Sequence, residues 1–76
     1  MTGNSEASVA ALVASVLNLP VSAVGVDASM ETIAQWDSLA QLNICLAFQE
    51  EFRVDMDMET IAACTSVAKL AKLLPN

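Results

Sequence analysis

Apolar residues recur along this chain at the spacing of buried helix faces. Near the amino-terminal end they are separated by three, four, seven and eight positions: Val9, Leu12, Val13, Val16 and Leu17. That spacing places all of them on one side of a helix. The pattern predicts a first helix that begins near Ser5, with Asn4 or Ser5 as N-cap, and that ends at Asn18 and Pro20.

The following segment, residues 18–37, shows no sustained repeat and is a long connection for a compact domain. Five apolar residues are spread along it: Val21, Val24, Val26, Met30 and Ile33. We expect these side chains to pin the connection to the helices. A short helical turn is expected directly after Pro20.

A second helix is predicted from Ser38 to Phe52, with Asp37 as its N-cap. Apolar side chains cover most of its circumference. The few positions that share a solvent-facing arc are Ala40, Asn43, Ala47, Glu50 and Glu51. We therefore expect this helix to be wrapped by the others.

Two further helices are predicted in the last third of the chain. Asp57 should cap a short third helix over 57–63, with three residues facing inward: Met58, Ile61 and Ala62. Thr65 or Ser66 should cap the fourth, which Pro75 ends. Its buried residues are expected to be Val67, Leu70, Ala71 and Leu74.

Together these patterns predict one all-α domain spanning residues 1–76, with a core over about residues 5–74. The expected architecture is a four-helix bundle with three main helices, a short third helix and a long first loop. Few runs of β-branched residues alternate with the period of two that is typical of strands, and the chain has few glycines. Both features support the helical assignment.

The net charge of the chain limits the classes of partner that it is expected to bind. A formal net charge of −6 argues against nucleic acid and anionic membrane surfaces, and suits basic protein partners. The uncharged stretch 7–26 is interrupted by polar residues and Pro20, so we expect no membrane span. The first six residues lack the positive charge of a secretory signal. We expect an acidic, cytoplasmic and monomeric protein.

No metal site is expected. Cys45 and Cys64 lie among apolar helical positions, and without histidine or a Cys-x-x-Cys pair they predict buried free thiols. The acidic run 55–59 has Thr60 and Ser66 where a calcium loop requires glycine and glutamate, which excludes an EF-hand.

Ser38 carries the candidate chemistry. At the first turn of a helix, free backbone N–H groups and the helix dipole favour a phosphate ester. The chain has no histidine and no nearby lysine to activate the hydroxyl, so Ser38 is not expected to be a catalytic nucleophile. We interpret it as an acceptor that another enzyme modifies, and the chain as a non-enzyme. Plain helix capping by Asp37 and Ser38 is the alternative.

The chain resembles the acyl carrier protein family over about residues 5–74. The resemblance rests on Trp36-Asp37-Ser38-Leu39 and on segments at family spacing: Asn18-Leu19-Pro20, Val26-Asp27, Met30, Glu50-Glu51-Phe52 and Thr65-Ser66-Val67. It implies a 4′-phosphopantetheine arm on Ser38, with Leu39 as the anchor beside the arm. It also implies that Asp37 helps the metal ion of the transferase to find Ser38.

The resemblance further implies a free-standing carrier of acyl or aminoacyl thioesters. Its expected partners are a phosphopantetheinyl transferase, a loading enzyme and a downstream synthase or transferase. The residues expected to face partners are Trp36, Leu46, Glu50, Glu51, Asp57 and Glu59. For Trp36, packing of the loop onto the second helix is the favoured alternative. Leu46 lies either beside the arm or in the core.

Three positions depart from the pattern of fatty-acid carriers. Gln35 replaces a common glycine, and Ala40 and Asn43 replace acids. These departures favour a dedicated polyketide, nonribosomal-peptide or aminoacyl pathway over general fatty acid biosynthesis. A small helical interaction domain without covalent modification is the alternative function.

Overall fold

The computed structural model describes the backbone of residues 2–74 and the side chains of residues 5–74. The elements follow in the order α1 (Thr2–Leu17), a 3₁₀ turn (Val21–Ala23), α2 (Ser38–Phe52), α3 (Met58–Ala63) and α4 (Val67–Ala71). The predicted all-α, four-helix architecture with a long first loop is confirmed. Within the described backbone, no helix has both the length and the apolar character needed to cross a membrane.

The core lies between α1, α2 and α4. These helices contribute seven side chains with no solvent exposure: Val9 and Val13 of α1, Ile44, Cys45 and Phe48 of α2, and Val67 and Leu70 of α4. Burying a side chain of this size stabilises a fold by about 1.5–3 kcal/mol. By contrast, α3 has no fully buried side chain. The helices α1, α2 and α4 are therefore packed mainly by apolar contact, whereas α3 is not.

The first helix begins earlier than predicted. It starts at Thr2, so Asn4 and Ser5 lie inside α1 and neither is its N-cap. Cap preference alone does not decide where a helix begins, because neighbouring polar residues offer equivalent caps.

The predicted end of α1 is confirmed. Asn18 adopts a left-handed conformation with φ of 60°. The N–H groups of Asn18 and Leu19 then bond to the carbonyls of Ser15 (3.2 Å) and Ala14 (2.8 Å). This is the Schellman pattern of helix ends.

The buried face of α1 is wider than the predicted stripe. Val9 and Val13 are buried, while Leu12, Val16 and Leu17 are partly buried against the core. Ala10 and Ala14 are buried as well. Small residues of this kind let neighbouring elements approach closely, and the apolar spacing did not single them out.

The first loop is only partly pinned by apolar side chains. The short turn after Pro20 is confirmed, and Val24, Met30 and Ile33 pack against the core. The prediction is wrong for Val21 and Val26, whose side chains are exposed.

Backbone hydrogen bonds complete the attachment of the loop. The N–H of Met30 donates to the Thr65 carbonyl (2.9 Å), and the N–H of Val67 donates to the Ala28 carbonyl (3.0 Å). These bonds flank an isolated bridge between Ser29 and Ser66. The loop is thereby tied to the α3–α4 connection, which an apolar pattern cannot indicate.

The predicted bounds of α2 and its Asp37 cap are confirmed. The expectation that α2 is wrapped by other helices is wrong. Leu39 is 68% exposed and Leu46 55%, and Leu42 is exposed as well. The reason is that α3 spans only six residues and is too short to cover this side of α2.

The two carboxy-terminal helices are capped largely as predicted. Asp57 accepts from the Thr60 N–H (2.8 Å), and Ser66 accepts from the Lys69 N–H (3.1 Å). The inward orientation predicted for Met58 and Ala62 is wrong, since both are exposed. Ile61 is partly buried.

The fourth helix is shorter than expected. It ends at Ala71, and the chain continues in tighter turns, with the N–H groups of Leu73 and Leu74 bonding to Leu70 and Ala71. Val67 and Leu70 are buried as predicted, and Leu74 is partly buried. Pro75, the predicted end, lies outside the described residues.

Candidate functional site

Ser38 is the first residue of α2 and its side chain is exposed. Asp37 fixes this end of the helix, because its carboxylate accepts a hydrogen bond from the Ala40 N–H at 2.8 Å. Leu39 follows as an exposed leucine. The serine hydroxyl is therefore presented to solvent at a helix amino terminus, where a phosphate group is favoured.

A groove of about 410 Å³ opens beside Ser38. We call it the Ser38 groove, and it is lined by Met30, Ser38, Gln41, Leu42, Met58, Ile61, Ala62 and Thr65. These residues come from the first loop, α2, α3 and the α3–α4 connection. All of the described side chains that line it are uncharged, and most are apolar.

Gln41 is a site residue that the sequence pattern did not single out. It is 5% exposed, and among the described side chains it is the one polar side chain that is buried. Its Oε1 accepts from the Trp36 indole N–H at 2.6 Å. Its Nε2 donates to the carbonyls of Ile61 (2.7 Å) and Cys64 (2.8 Å). A signal existed, because Gln41 interrupts the apolar side of α2.

Trp36 packs inside the protein. Its side chain is 1% exposed, and its indole N–H is used by Gln41. The assignment of Trp36 to a partner-facing surface is therefore wrong, and the alternative of loop packing onto α2 is confirmed. Burial of a large aromatic ring with its N–H paired is the usual solution for tryptophan.

Comparison with known proteins assigns the family. The family model described as "Phosphopantetheine attachment site" matches residues 7–74, which is most of the chain. The chain belongs to this family. No curated protein and no solved structure matches it.

Membership confirms the coarse predictions made from the resemblance. Domains of this family bear covalent 4′-phosphopantetheine and act as carriers, and they do not catalyse reactions themselves. Transferases and synthases are the general classes of enzyme that act on such a carrier domain. The Ser38 groove is uncharged, and its lining residues suit an arm built largely of methylene and amide groups.

The other expected partner-facing residues are exposed, and none of them lines the Ser38 groove: Leu46, Glu50, Glu51 and Glu59. The exposure of Leu46 shows that it is not a core residue. Glu51 also lines a second pocket, of about 390 Å³, with Ser8 and Leu12 of α1. Their contact with partners stays a prediction.

Asp57 is exposed and caps α3. Hydrogen bonds from Thr60 hold the pKa of the Asp57 carboxyl below its ordinary value of 3.8. Its charge is therefore fully present at neutral pH. Asp57 thus has a structural role at the start of α3, and its contact with a partner stays a prediction.

The two cysteines of the carrier domain are free and buried, as predicted. Burial, with a smaller contribution from nearby Cys64, raises the pKa of the Cys45 thiol from 9.0 to about 11. Burial also raises the pKa of the Cys64 thiol. Both sulfurs are protonated at neutral pH and are poor nucleophiles.

The described side chains contain no group of three or more His, Cys, Asp or Glu residues placed to hold a metal ion. This holds for the acidic run at Asp55, Asp57 and Glu59, in which Asp57 uses its carboxylate to cap α3.

Proposed function

We propose that Ser38 bears the phosphopantetheine arm and that the carrier domain holds an acyl or aminoacyl group as a thioester at its end. The observation that carries this proposal is the exposed Ser38 hydroxyl at the start of α2, on the rim of the Ser38 groove. In the transfer, the Ser38 hydroxyl gives its proton to a base of the transferase, and its oxygen bonds to the phosphorus that carries the pantetheine arm of coenzyme A. The pyrophosphate bond of coenzyme A breaks, and 3′,5′-ADP leaves. The arm supplies the thiol, so neither buried cysteine is needed.

The chemistry of the site supports an acceptor role for Ser38. A serine hydroxyl needs a base to become a strong nucleophile, and this chain has no histidine. The nearest acidic neighbour, Asp37, already accepts a hydrogen bond from the Ala40 N–H. We propose that the other carboxylate oxygen of Asp37 helps a transferase-bound metal ion to approach Ser38.

The Ser38 groove supports a path for the arm along α2 and α3. Leu42 and Met58 lie on its walls, and its described lining carries no charge that would oppose apolar cargo. We propose that the arm enters this groove beside Leu39. Leu46, one turn beyond Leu42 and exposed, then lies near the outer end of the path.

A mass measurement tests the attachment site. Incubation of the apo protein with a promiscuous phosphopantetheinyl transferase and coenzyme A should add one phosphopantetheinyl group. Ser38→Ala should accept none while it melts like the unaltered protein. Ser22→Ala is the matched control, because Ser22 is also an exposed serine and lies outside the groove. A mass gain that persists in Ser38→Ala would refute the assignment.

The exposed arc of α2 supports a partner surface that is apolar at its centre. It presents Leu39, Leu42 and Leu46, with Glu50 at its far end. We propose that partner enzymes offer an apolar patch with a basic margin, which meets Glu50, Asp57 and Glu59. An interaction domain without covalent modification would use the same leucines, and it predicts no mass gain with the transferase.

We propose a dedicated biosynthetic pathway over general fatty acid synthesis, because the arc has few acids. Asn43 is exposed, whereas Ala40 is partly buried and is a poor position for a new charge. Asn43→Glu should therefore speed transfer to a ketosynthase of general fatty acid synthesis. An exposed ion pair is worth about 0.2–1 kcal/mol, so a gain of up to about fivefold at low salt is expected. The gain should shrink as salt rises.

Efficient use of the unaltered protein by that ketosynthase would contradict the dedicated pathway.

The two buried free thiols support a reducing compartment such as the cytoplasm.

A further inference from the structure

The region around α3 is short of apolar support. The helix has six residues, a length that is marginal without tertiary contacts, and no side chain of α3 is fully buried. Yet α3 supplies three lining residues of the Ser38 groove: Met58, Ile61 and Ala62. Whatever holds α3 in place therefore also sets the width of the groove.

The carboxyl end of α3 is satisfied from α2. The Thr65 N–H bonds to the Ala63 carbonyl at 3.0 Å, so it does not continue the helical ladder to Ile61. The Ile61 carbonyl instead accepts from Gln41 Nε2, as does the carbonyl of Cys64, the residue after the helix. These are the terminal carbonyls that a helix leaves without intrahelical partners.

The other end of the Gln41 amide reaches the entrance to α2. Its Oε1 accepts from the indole N–H of Trp36, two residues before Ser38. One buried amide thus connects the segment that presents Ser38 with the helix that forms the opposite wall. The two Nε2 protons are both used by carbonyl oxygens, and a longer contact of 3.3 Å reaches the Cys45 sulfur.

We propose that Gln41 is a positioning residue for the arm: it fixes α3 relative to Ser38 and so sets the Ser38 groove. This inference rests on the proposed attachment at Ser38. A methionine at position 41 would keep the length and helix preference of the side chain but would donate and accept no comparable hydrogen bonds. The walls of the groove would then lose their shared anchor.

The chain offers a matched control on the same helix. Gln49 is partly buried and also makes two hydrogen bonds, from its Nε2 to the Cys45 carbonyl (3.3 Å) and from the Met56 N–H to its Oε1 (3.2 Å). It anchors the α2–α3 connection and does not line the groove. Gln49→Met therefore removes a comparable polar anchor while leaving the Gln41 bonds in place.

The experiment compares apo and holo forms of the unaltered protein, Gln41→Met and Gln49→Met by amide NMR. In the unaltered protein, conversion to holo should shift the amide signals of Met58, Ile61 and Ala62. Gln41→Met should lose most of these shifts, and its α3 amides should exchange with solvent about tenfold faster, as expected when a buried hydrogen-bonding residue is removed. Gln49→Met should keep the shifts.

Equal effects of the two substitutions, or unchanged α3 signals in Gln41→Met, would overturn the proposal. Intact mass, measured on each sample, keeps the attachment site separate. If Ser38→Ala still gains the arm, the site assignment fails, whatever the α3 signals show.

A second measurement applies even if Gln41→Met does not fold. In the unaltered protein, the side-chain amide protons of Gln41 should exchange with solvent at least about tenfold more slowly than those of exposed Gln35. Their signals should also shift on conversion to holo. Equal exchange of the two side chains, or a Gln41 signal indifferent to the arm, would contradict the role of Gln41.

Discussion

The two sides of α2 are held by different forces. Toward α1, contact is apolar: Ile44 and Phe48 lie in one buried hydrophobic cluster with α1 residues such as Val13, all without exposure. Toward α3, contact depends on the Gln41 amide and on a partly buried Ile61. The first side resembles the interior of an ordinary bundle. On the second side, the short helix α3 has no buried side chain and is held by a few directional hydrogen bonds.

Because of this difference, the contacts that provide most of the folding stability are not the contacts that fix the geometry of the site. Apolar burial is non-directional and contributes most of the folding free energy. Hydrogen bonds contribute less each, but they fix geometry and are costly to leave unmade. The groove beside Ser38 lies on the side where geometry is set by hydrogen bonds. Substitutions on the two sides should therefore have different consequences, and four predictions test this.

The largest effect is expected in the apolar core. Phe48→Ala should lower the free energy of unfolding by about 3–5 kcal/mol, because it removes a fully buried ring and leaves a cavity. Urea denaturation measures the loss. Leu46→Ala, on the same helix but 55% exposed, is the control and should change it by no more than about 0.5 kcal/mol. Similar losses in both variants would remove the distinction between the two sides of α2.

A smaller effect is expected where the core meets the polar side. Trp36→Phe keeps an aromatic ring but removes the indole N–H, leaving Gln41 Oε1 without its partner. A buried unsatisfied group costs about 1–3 kcal/mol in the free energy of unfolding, again measured in urea. Val24→Ala, a change in the same loop that removes apolar volume alone, is the control. No loss in Trp36→Phe would show that the Trp36–Gln41 bond is not important.

The buried Cys45 thiol should make stability fall in an alkaline window. The folded Cys45 thiol has a pKa of about 11 against 9.0 ordinarily, so the folded state holds this proton more tightly. Its contribution to stability is complete below pH 9 and is lost as the pH rises from 9 toward 11. Melting curves should show this loss, and Cys45→Ala should flatten it. An identical slope in that variant would assign the loss to Cys64, whose thiol pKa is also raised by burial.

The smallest change in stability is expected at Asp37. Asn caps helices as well as Asp does, so Asp37→Asn should leave the melting curve unchanged. The lost charge should nevertheless slow transfer of the arm to Ser38 several-fold, as followed by mass against time. Unchanged transfer kinetics would leave helix capping as the one supported role of Asp37.

Local structure was largely predictable from the sequence. The bounds of α2 follow from Asp37 and a run of helix-forming apolar residues, and Asp57 and Ser66 mark the start of α3 and α4. The left-handed Asn18 before Pro20 ends α1. These features are local, because a cap or a helix stop depends on residues within a few positions of itself.

Contacts between elements were less predictable. Met58 and Leu42 have the hydrophobicity of core residues, and their exposure depends on how short α3 is and where it lies. Trp36 could face a partner or the interior on its sequence alone. In the structure it is buried in the hydrophobic core, and its indole N–H donates to Gln41, five positions further along the chain.

The sequence by itself determined the four helices, the caps of α2, α3 and α4 and the place of Ser38 at the start of α2, because caps, stops and apolar periodicity act over a few residues. Only the tertiary structure decided which apolar residues are buried and which line the groove beside Ser38. It also joined Gln41 to carbonyls 20 and 23 residues away. Hydrogen bonds over such separations depend on where whole helices pack, and no local pattern specifies that.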